Sequence, residues 1–527
     1  MRFACGLAIL WAQSVAWDPY IPELPPHQIQ VVSGRTQAKL LAVPATRDSV
    51  GDFTTWVQRI PWEKDQEWYP AEWLTLSDLM YVQGRPVQYI LEHAWQIHRS
   101  GQRIRLRTEP IAYRLETEPV SAPQERRARF AGRSVLASGT WYKLATGEGG
   151  IYRITAQTLQ SLGIDPASVD PRMLRVYGQV GGPLPQENNA PQPDDLVEIP
   201  VLFPGEADGR WDPQDAAYFW AESPHAWYPF ANANRPYFHL RNPYTDSCYY
   251  FLTFDLGMGS RISPAATPPG PPTPSNRVLT LYFYEKDLTN IVKSGRVWLG
   301  ETFNSFSPTL SLTLPLPACD SVFLRVQLAA SSFSASQFSV SWAGTPLATV
   351  SIPAIPGPAD NRQAQWEHVS RLLINTPSSP TLTLTYTGAQ QGYLDYVEVT
   401  ALHALRYTGG QIVFHVPARG VQQVQGEGSP PAYLWDVTDG TRPQAVTVVP
   451  TATGFSFLSP GDTLRRYCAF DLQSARDVRP LGRIPNQNLH ALHGIRFVVA
   501  TTPAQASLAQ RFCELHPEAG PCAVVTT

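Results

Sequence analysis

The 50 prolines and 36 glycines spread along 527 residues constrain this chain more than any other feature. Proline removes a backbone donor and clashes inside a helix, so a chain punctuated this often is built from short strands and turns. A hydrophobic share of 43%, with 11% aromatic residues, supplies real cores and excludes a disordered polymer. A net charge of −3 without a dense charge run argues against a nucleic-acid partner and against a polybasic membrane contact.

Composition shifts and turn clusters divide the chain. Residues 17–133 read as an N-terminal β-rich domain: Gln28-Ile-Gln-Val-Val, Lys39-Leu-Leu-Ala-Val and the alternating Arg103-Ile-Arg-Leu-Arg are strand-like, whereas 86–98 fits strand or helix. A mixed β domain covers 134–262. There Trp141-Tyr-Lys-Leu-Ala and Gly150-Ile-Tyr-Arg-Ile are expected to pair across a glycine-rich turn, and 154–163 forms a short helix capped by Thr155 and stopped by Gly163. The proline-rich stretch 263–275 reads as a stiff connector or long surface loop. Short strands within 276–400 give an antiparallel β-sandwich, and a small β domain fills 401–490, its polar end handing over to the last unit.

The final segment, 491–527, changes character. Ile495-Arg-Phe-Val-Val-Ala is a mostly apolar run, as in a strand buried on both faces. Thr501, Thr502 and Pro503 open a helix in which Leu508, Phe512 and Leu515 recur at helical spacing. After Gly520-Pro521, Cys522-Ala-Val-Val-Thr makes a second short strand. This is one β-α-β unit of an α/β domain that the sequence is expected to begin without finishing, because a parallel pair with one crossover helix cannot cover both its faces. The fold class is therefore mainly β, with several β-rich domains followed by that first α/β piece.

At the other end, Arg2, the apolar 3–11 and Ser14-Val15-Ala16 fit a secretory signal over 1–16, the alternative being an ordinary buried strand. The remaining Cys248, Cys319, Cys468, Cys513 and Cys522 are odd in number, which leaves one free thiol or a partner cysteine elsewhere.

Candidate chemistry is sparse. Asp208, Asp212 and Asp215 cluster around a glycine turn in Asp-Gly-Arg-Trp-Asp-Pro-Gln-Asp, an oxygen-rich pattern that suits Ca2+, though without the spacing of a helix–loop–helix calcium site. Acidic turn residues capping their own backbone are the competing reading. Cys513 and His516 share a helix face, but a catalytic thiolate belongs on a loop beyond a strand end, so Cys513 is expected to pack its helix against the sheet. Gly-x-Ser-x-Gly, His-Glu-x-x-His and phosphate-loop motifs do not occur in the sequence.

An ordered series of segments resembles the PorU family, the gingipain-type cysteine-peptidase sortases of the bacterial type IX secretion system. It runs through Ser134-Val-Leu-Ala-Ser-Gly-Thr-Trp-Tyr-Lys, Gly149-Gly-Ile-Tyr-Arg-Ile-Thr, Arg175-Val-Tyr-Gly, Asp194-Asp-Leu-Val-Glu and the Asp208 segment. Asn242-Pro-Tyr-Thr-Asp, Tyr249-Tyr-Phe-Leu-Thr, Tyr284-Glu-Lys-Asp and Lys293-Ser-Gly-Arg-Val-Trp-Leu-Gly-Glu-Thr-Phe continue it. Leu394-Asp-Tyr, Leu434-Trp-Asp-Val-Thr-Asp and Asn486-Gln-Asn-Leu-His complete it, so that the resemblance extends from Ser134 to Thr527.

The resemblance implies a cell-surface sortase on the outer membrane, partnered by an outer-membrane β-barrel. Such a sortase removes C-terminal secretion signals from secreted cargo proteins and joins the cargo to lipopolysaccharide by thiol acyl transfer. It also implies that the catalytic histidine and cysteine lie beyond Thr527, so no residue here is assigned either role. Val499-Ala-Thr-Thr-Pro departs from the family's usual strand ending in His-Pro. The alternative function is a non-catalytic surface protein whose sandwich binds glycan or a secretion partner, with Trp298, Trp342 and Trp366 as stacking candidates.

Overall fold

The computed structural model describes short stretches between Gln28 and Pro119, then residues 131–526 apart from 186–189, 191, 233–234, 292, 294–296 and 358–362. The chain divides into two compact units, Met1–Arg129 and Phe130–Thr527. The proposed signal segment and most of Lys39–Val43 lie outside the described residues.

In the first unit the described elements are all strands. Arg85–Glu92 pairs antiparallel with Gln28–Ser33, Leu74–Leu76 and Met80–Val82, and Arg103–Leu106 sits between Arg47–Val50 and Trp95–His98. The ambiguous 86–98 stretch is thus two strands.

In the second unit the sandwich core is built by strict alternation. Along Ser336–Trp342, Phe338, Val340 and Trp342 point inward while Gln337 and Ser339 face solvent. One layer holds Thr309–Thr313, Thr381–Thr387, Ser336–Trp342 and Thr345–Ile352; the other holds Arg277–Glu285, Gln391–Ala404, Cys319–Ser331 and Gln365–Thr376. Between them Leu324, Val326, Phe338, Leu382, Leu384 and Val397 are buried in one core.

Four sequence-based expectations about organisation change. The boundary at residue 400 does not interrupt the main sheet. A ten-stranded ladder runs from Gln365–Thr376 through the sandwich layer into Gln411–Val416, Arg465–Phe470 and Tyr433–Asp436. Leu279 pairs with His415 at the junction, so main-chain hydrogen bonds bridge the two regions.

Trp141–Thr146 and Gly150–Thr155 do not form a hairpin. The first pairs with Cys248–Thr253 and Arg479–Ile484, the second with Ala216–Ala221 and Arg476–Asp477. The physical reason is two-sided burial. Ile151 sits in one core with Trp220 and Trp435 while Tyr152 and Ile154 sit in another with Phe219 and Tyr250, so the strand needs cover on both faces.

The proline-rich stretch is not a free spacer, because its ends are strands. Ser263–Pro264 joins Gln444–Ala445 and Thr273–Ser275 joins Gln422–Val424, both parallel. Proline is tolerated at such sheet edges. The polar 476–490 segment is likewise no simple hand-over: it returns to the 134–262 region as the two strands just named.

The short helix forms as expected. Thr155 caps Ala156–Ser161 in a reciprocal capping box with Thr158, and Gly163 follows at φ 79°. The last unit is a β-α-β: Phe497–Thr501 and Cys522–Thr526 pair parallel, connected through the Ala506–Leu515 helix. Pro503–Gln505 adds a 3-10 turn before that helix.

Candidate functional site

The three aspartates of the expected calcium loop do not converge. Asp208 closes a 3-10 turn held between Gly205 and Gly209, both at positive φ, and its Oδ1 accepts from Arg210 N at 3.0 Å. The Asp215 carboxylate accepts from Asp212 N at 3.0 Å. Beneath them Trp211 is 4% exposed and donates to Asp215 O, its ring edge-on to Phe203 at 4.7 Å. The loop thus plugs a core with a tryptophan and spends the Asp208 and Asp215 carboxylates on its own turns. Among the described residues, no group of three or more His, Cys, Asp or Glu is arranged to hold a metal ion, so these residues do not fit Ca2+.

The thiols are equally inert. Cys513 does not merely pack: it is disulfide-bonded to Cys522, pinning the helix to the second strand, and His516 contacts Glu518 at 2.9 Å. Cys248, Cys319 and Cys468 are unbonded. Burial pushes Cys248 up to about 12 and Cys319 up to about 11, and raises Cys468 further, so all three are held as thiols.

The structure instead draws the resemblance segments together in two places. The first lies around the end of the Arg277–Glu285 strand of the sandwich. Arg241 reaches Asp287 at 2.7 Å, Asp246 at 3.4 Å and Glu285 at 3.5 Å. Tyr284 Oη donates to Glu301, which also binds Lys286 at 2.9 Å. Gly300 N donates to Leu394 O at 2.8 Å, where a side chain on Gly300 would strike that oxygen, and Leu394 N donates to Glu301 O at 3.0 Å. The register then slips between Gln327 and Leu328, leaving Asp395 as the extra residue of a bulge, hydrogen-bonded by Trp366. Burial raises both Glu285 and Asp395 to about 7, with neighbouring carboxylates adding to the effect. His239, stacked on Phe283 at 3.8 Å, is pushed down to about 3 by burial. This cluster can exchange protons near neutrality and hold loops in register, and the residues named in it include no thiol.

The second place joins sequence ends far apart. Ser134 N donates to Asn488 Oδ1 at 2.9 Å, and Asp195 accepts from Ser134 Oγ at 3.1 Å and Val135 N at 2.6 Å. Asn486 Nδ2 donates to Leu136 O and Gly139 O, and His490 lies 3.9 Å from Asp194. Here the start of the second unit clasps the segment that leads into the β-α-β. Sequence reasoning assigned no role to Arg241, Glu285, Asp395, Ser134, Asp195 or Asn488. The signal was present nonetheless, because all but Arg241 lie inside the ordered segments.

The stacking candidates separate. Trp342 is 6% exposed and belongs to the sandwich core, whereas Trp298 and Trp366 are 38% and 40% exposed.

No protein-family model matches the chain, and no curated protein matches it. Among solved structures, dimeric latent PorU from Porphyromonas gingivalis matches with a TM-score of 0.65 at 24% identity, covering 76% of this chain and 38% of that one. A family 35 carbohydrate-binding module from Clostridium thermocellum reaches a TM-score of only 0.16 at 11% identity, covering 24% of this chain and 98% of its own. The chain therefore spans 38% of the length of PorU. What this likeness shows is a shared, mainly β fold.

Proposed function

We propose that this chain works as part of a PorU-like sortase of the type IX secretion system. Its β-rich domains act as the scaffold that holds and orients a gingipain-type peptidase unit starting at the Phe497–Thr526 β-α-β. The carrying observation is the fold match to PorU over 76% of the chain at a TM-score of 0.65. The clasp of Ser134 and Asp195 on Asn486–His490 supports a scaffold role, since it fixes the chain just ahead of the α/β unit. The thiols held protonated in Cys248, Cys319 and Cys468 fit a scaffold better than a reaction centre. In this reading the protein sits at the outer-membrane surface, contacts a β-barrel partner, and serves secreted cargo whose C-terminal signal is exchanged for lipopolysaccharide.

The test is genetic and chemical together. Deleting the coding region in the native bacterium should leave exported cargo with intact C-terminal signals, seen by mass spectrometry of surface proteins. Normally processed, lipopolysaccharide-linked cargo in the deletion strain would overturn the proposal.

A further inference from the structure

Ala226–Asn232 and Arg235–Leu240 form a two-stranded sheet of their own, and that hairpin lies against the sandwich. Phe283 and Glu398 mark the face it covers. Their chain neighbours Tyr282, Tyr284, Val397 and Val399 pack into the sandwich core, so by strand alternation Phe283 and Glu398 point away from it. His239 stacks on Phe283 at 3.8 Å, and its main-chain N donates to Glu398 Oε1 at 2.9 Å. Trp227, from the other strand of the hairpin, meets the His239 ring at 5.0 Å.

Two contacts of this hairpin require an uncharged imidazole. The His239 Nδ1 is buried without a hydrogen-bond partner, so a proton there has no acceptor. His225, just ahead of the hairpin, accepts through Nδ1 from Asn242 N, just after it, at 3.0 Å. That bond ties the two ends together, and a protonated Nδ1 cannot accept it. Burial is the chief cause that lowers both histidines, His239 to about 3, and Arg241 adds to it. Asp246, 3.4 Å from His225 Nε2, and Asp287 pull the other way on His225. On the sheet beneath, Arg325 sits opposite Glu398 and donates to Tyr396 Oη at 3.1 Å, while Glu398 keeps a further interaction of its own. Burial raises Tyr237, which stays neutral across the acid range.

We propose that this hairpin is an acid-released strap: protonation of His225 and His239 frees it from the sandwich and uncovers Phe283 and Tyr396 on the sheet beneath. Each histidine binds its proton more tightly once the strap is lifted. Docking is therefore at full strength above the usual histidine value of 6.5 and is lost as pH falls toward the docked-state values. Glu285, raised to about 7 and paired with Arg241, works in the opposite direction, because its proton is held more tightly in the docked form.

Hydrogen exchange of the full chain, corrected for the intrinsic rate at each pH, gives the opening constant of the hairpin amides. His239→Phe keeps the ring stack and removes its titration, while Glu285, Asp395 and His225 remain the same in both chains. The ratio of parent to variant opening constants should therefore grow by about a hundredfold from about pH 7.5 to about pH 4.5. Protection of Ser336–Trp342 should hold over the same range. A second reading needs no variant: ring resonances of His239 in the parent should stay those of a neutral imidazole down to about pH 4.5. A flat ratio, loss of protection in Ser336–Trp342 together with the hairpin, or a His239 ring that titrates at its usual pH would each overturn the proposal.

Discussion

The sandwich and the terminal β-α-β are made from similarly apolar strands, yet their side chains end in opposite environments. Leu324, Val326, Phe338 and Leu382 are at most 1% exposed, whereas Phe497, Val498 and Phe512 are 37%, 56% and 44% exposed. The difference lies in layering. Two antiparallel sheets each present one apolar face and cover one another, while a parallel pair with one crossover helix has two faces and a single cover. Strand composition says that a surface is made to be buried; only the next layer decides whether it is. Where the sandwich is held by its core, the β-α-β is held by the covalent Cys513–Cys522 link.

The sharpest break of that comparison is a matched pair of truncations. Phe338→Ala removes a fully buried ring that meets Phe303 edge-on at 5.0 Å, and should cost about 4 kcal/mol in denaturant unfolding of the sandwich. Val498→Ala should cost less than about 0.5 kcal/mol, because its side chain is already more than half in water. Equal costs would mean that the two environments do not differ as described. The next effect falls on the seam between the 134–262 region and the small β domain. Arg466 pairs with the buried Glu222 carboxylate, donates to Val437 O at 2.8 Å and lies over the Trp220 ring at 5.1 Å. Arg466→Ala strands that carboxylate and should cost about 3 kcal/mol, while the double change with Glu222→Gln should recover part of it.

These contrasts also mark what the sequence could reveal. Period-two alternation in Ser336–Trp342 and Thr381–Thr387 makes the sandwich strands readable, because one face of each is solvated. The Thr155 cap and Gly163 stop make the short helix readable from local chemistry alone. Partner choice is not local. Gly150–Thr155 reads as half of a hairpin until its two-sided burial is seen, and Arg476–Asp477 reads as polar linker although it pairs with a strand more than 300 residues earlier. The Asp208 loop had the right residue types for a cation, but whether its carboxylates converge is set by Trp211 below and by the turn hydrogen bonds. Asp395 was invisible as a special position because a bulge is a property of register, not of composition.

Asp395 sharpens the comparison through pH. Its carboxyl titrates at about 7 in the folded chain, chiefly through burial, against about 3.9 when unfolded. The folded state therefore binds this proton more tightly, so stability falls as pH rises from about 4 to 7 and stays reduced above that. Asp395→Asn keeps an acceptor for Trp366 and abolishes the titration. The difference between variant and parent melts, in which histidines such as His239 cancel, should grow by about 4 kcal/mol from pH 4 to pH 8 in the variant's favour. A difference that is flat across this range would place Asp395 in water.

The smallest effects belong to the terminal unit and its tether. Cys522→Ser opens a link between residues 9 apart, and should loosen the β-α-β by about 2 kcal/mol while leaving the sandwich melt unchanged. Asn488→Ala acts one step earlier. It leaves Ser134 N, in a residue only 9% exposed, without its acceptor, while Asp195 still holds Ser134 Oγ and Val135 N. With one contact of the clasp lost and the others kept, the cost should be about 1 kcal/mol. Hydrogen exchange locates it: protection should drop at Ser134–Ala137 and across Asn486–His490, with Phe338 and its neighbours unmoved. If the loss instead spread into the sandwich, the two regions would share one cooperative unit, and the contrast between a self-covered core and a tethered one would fail.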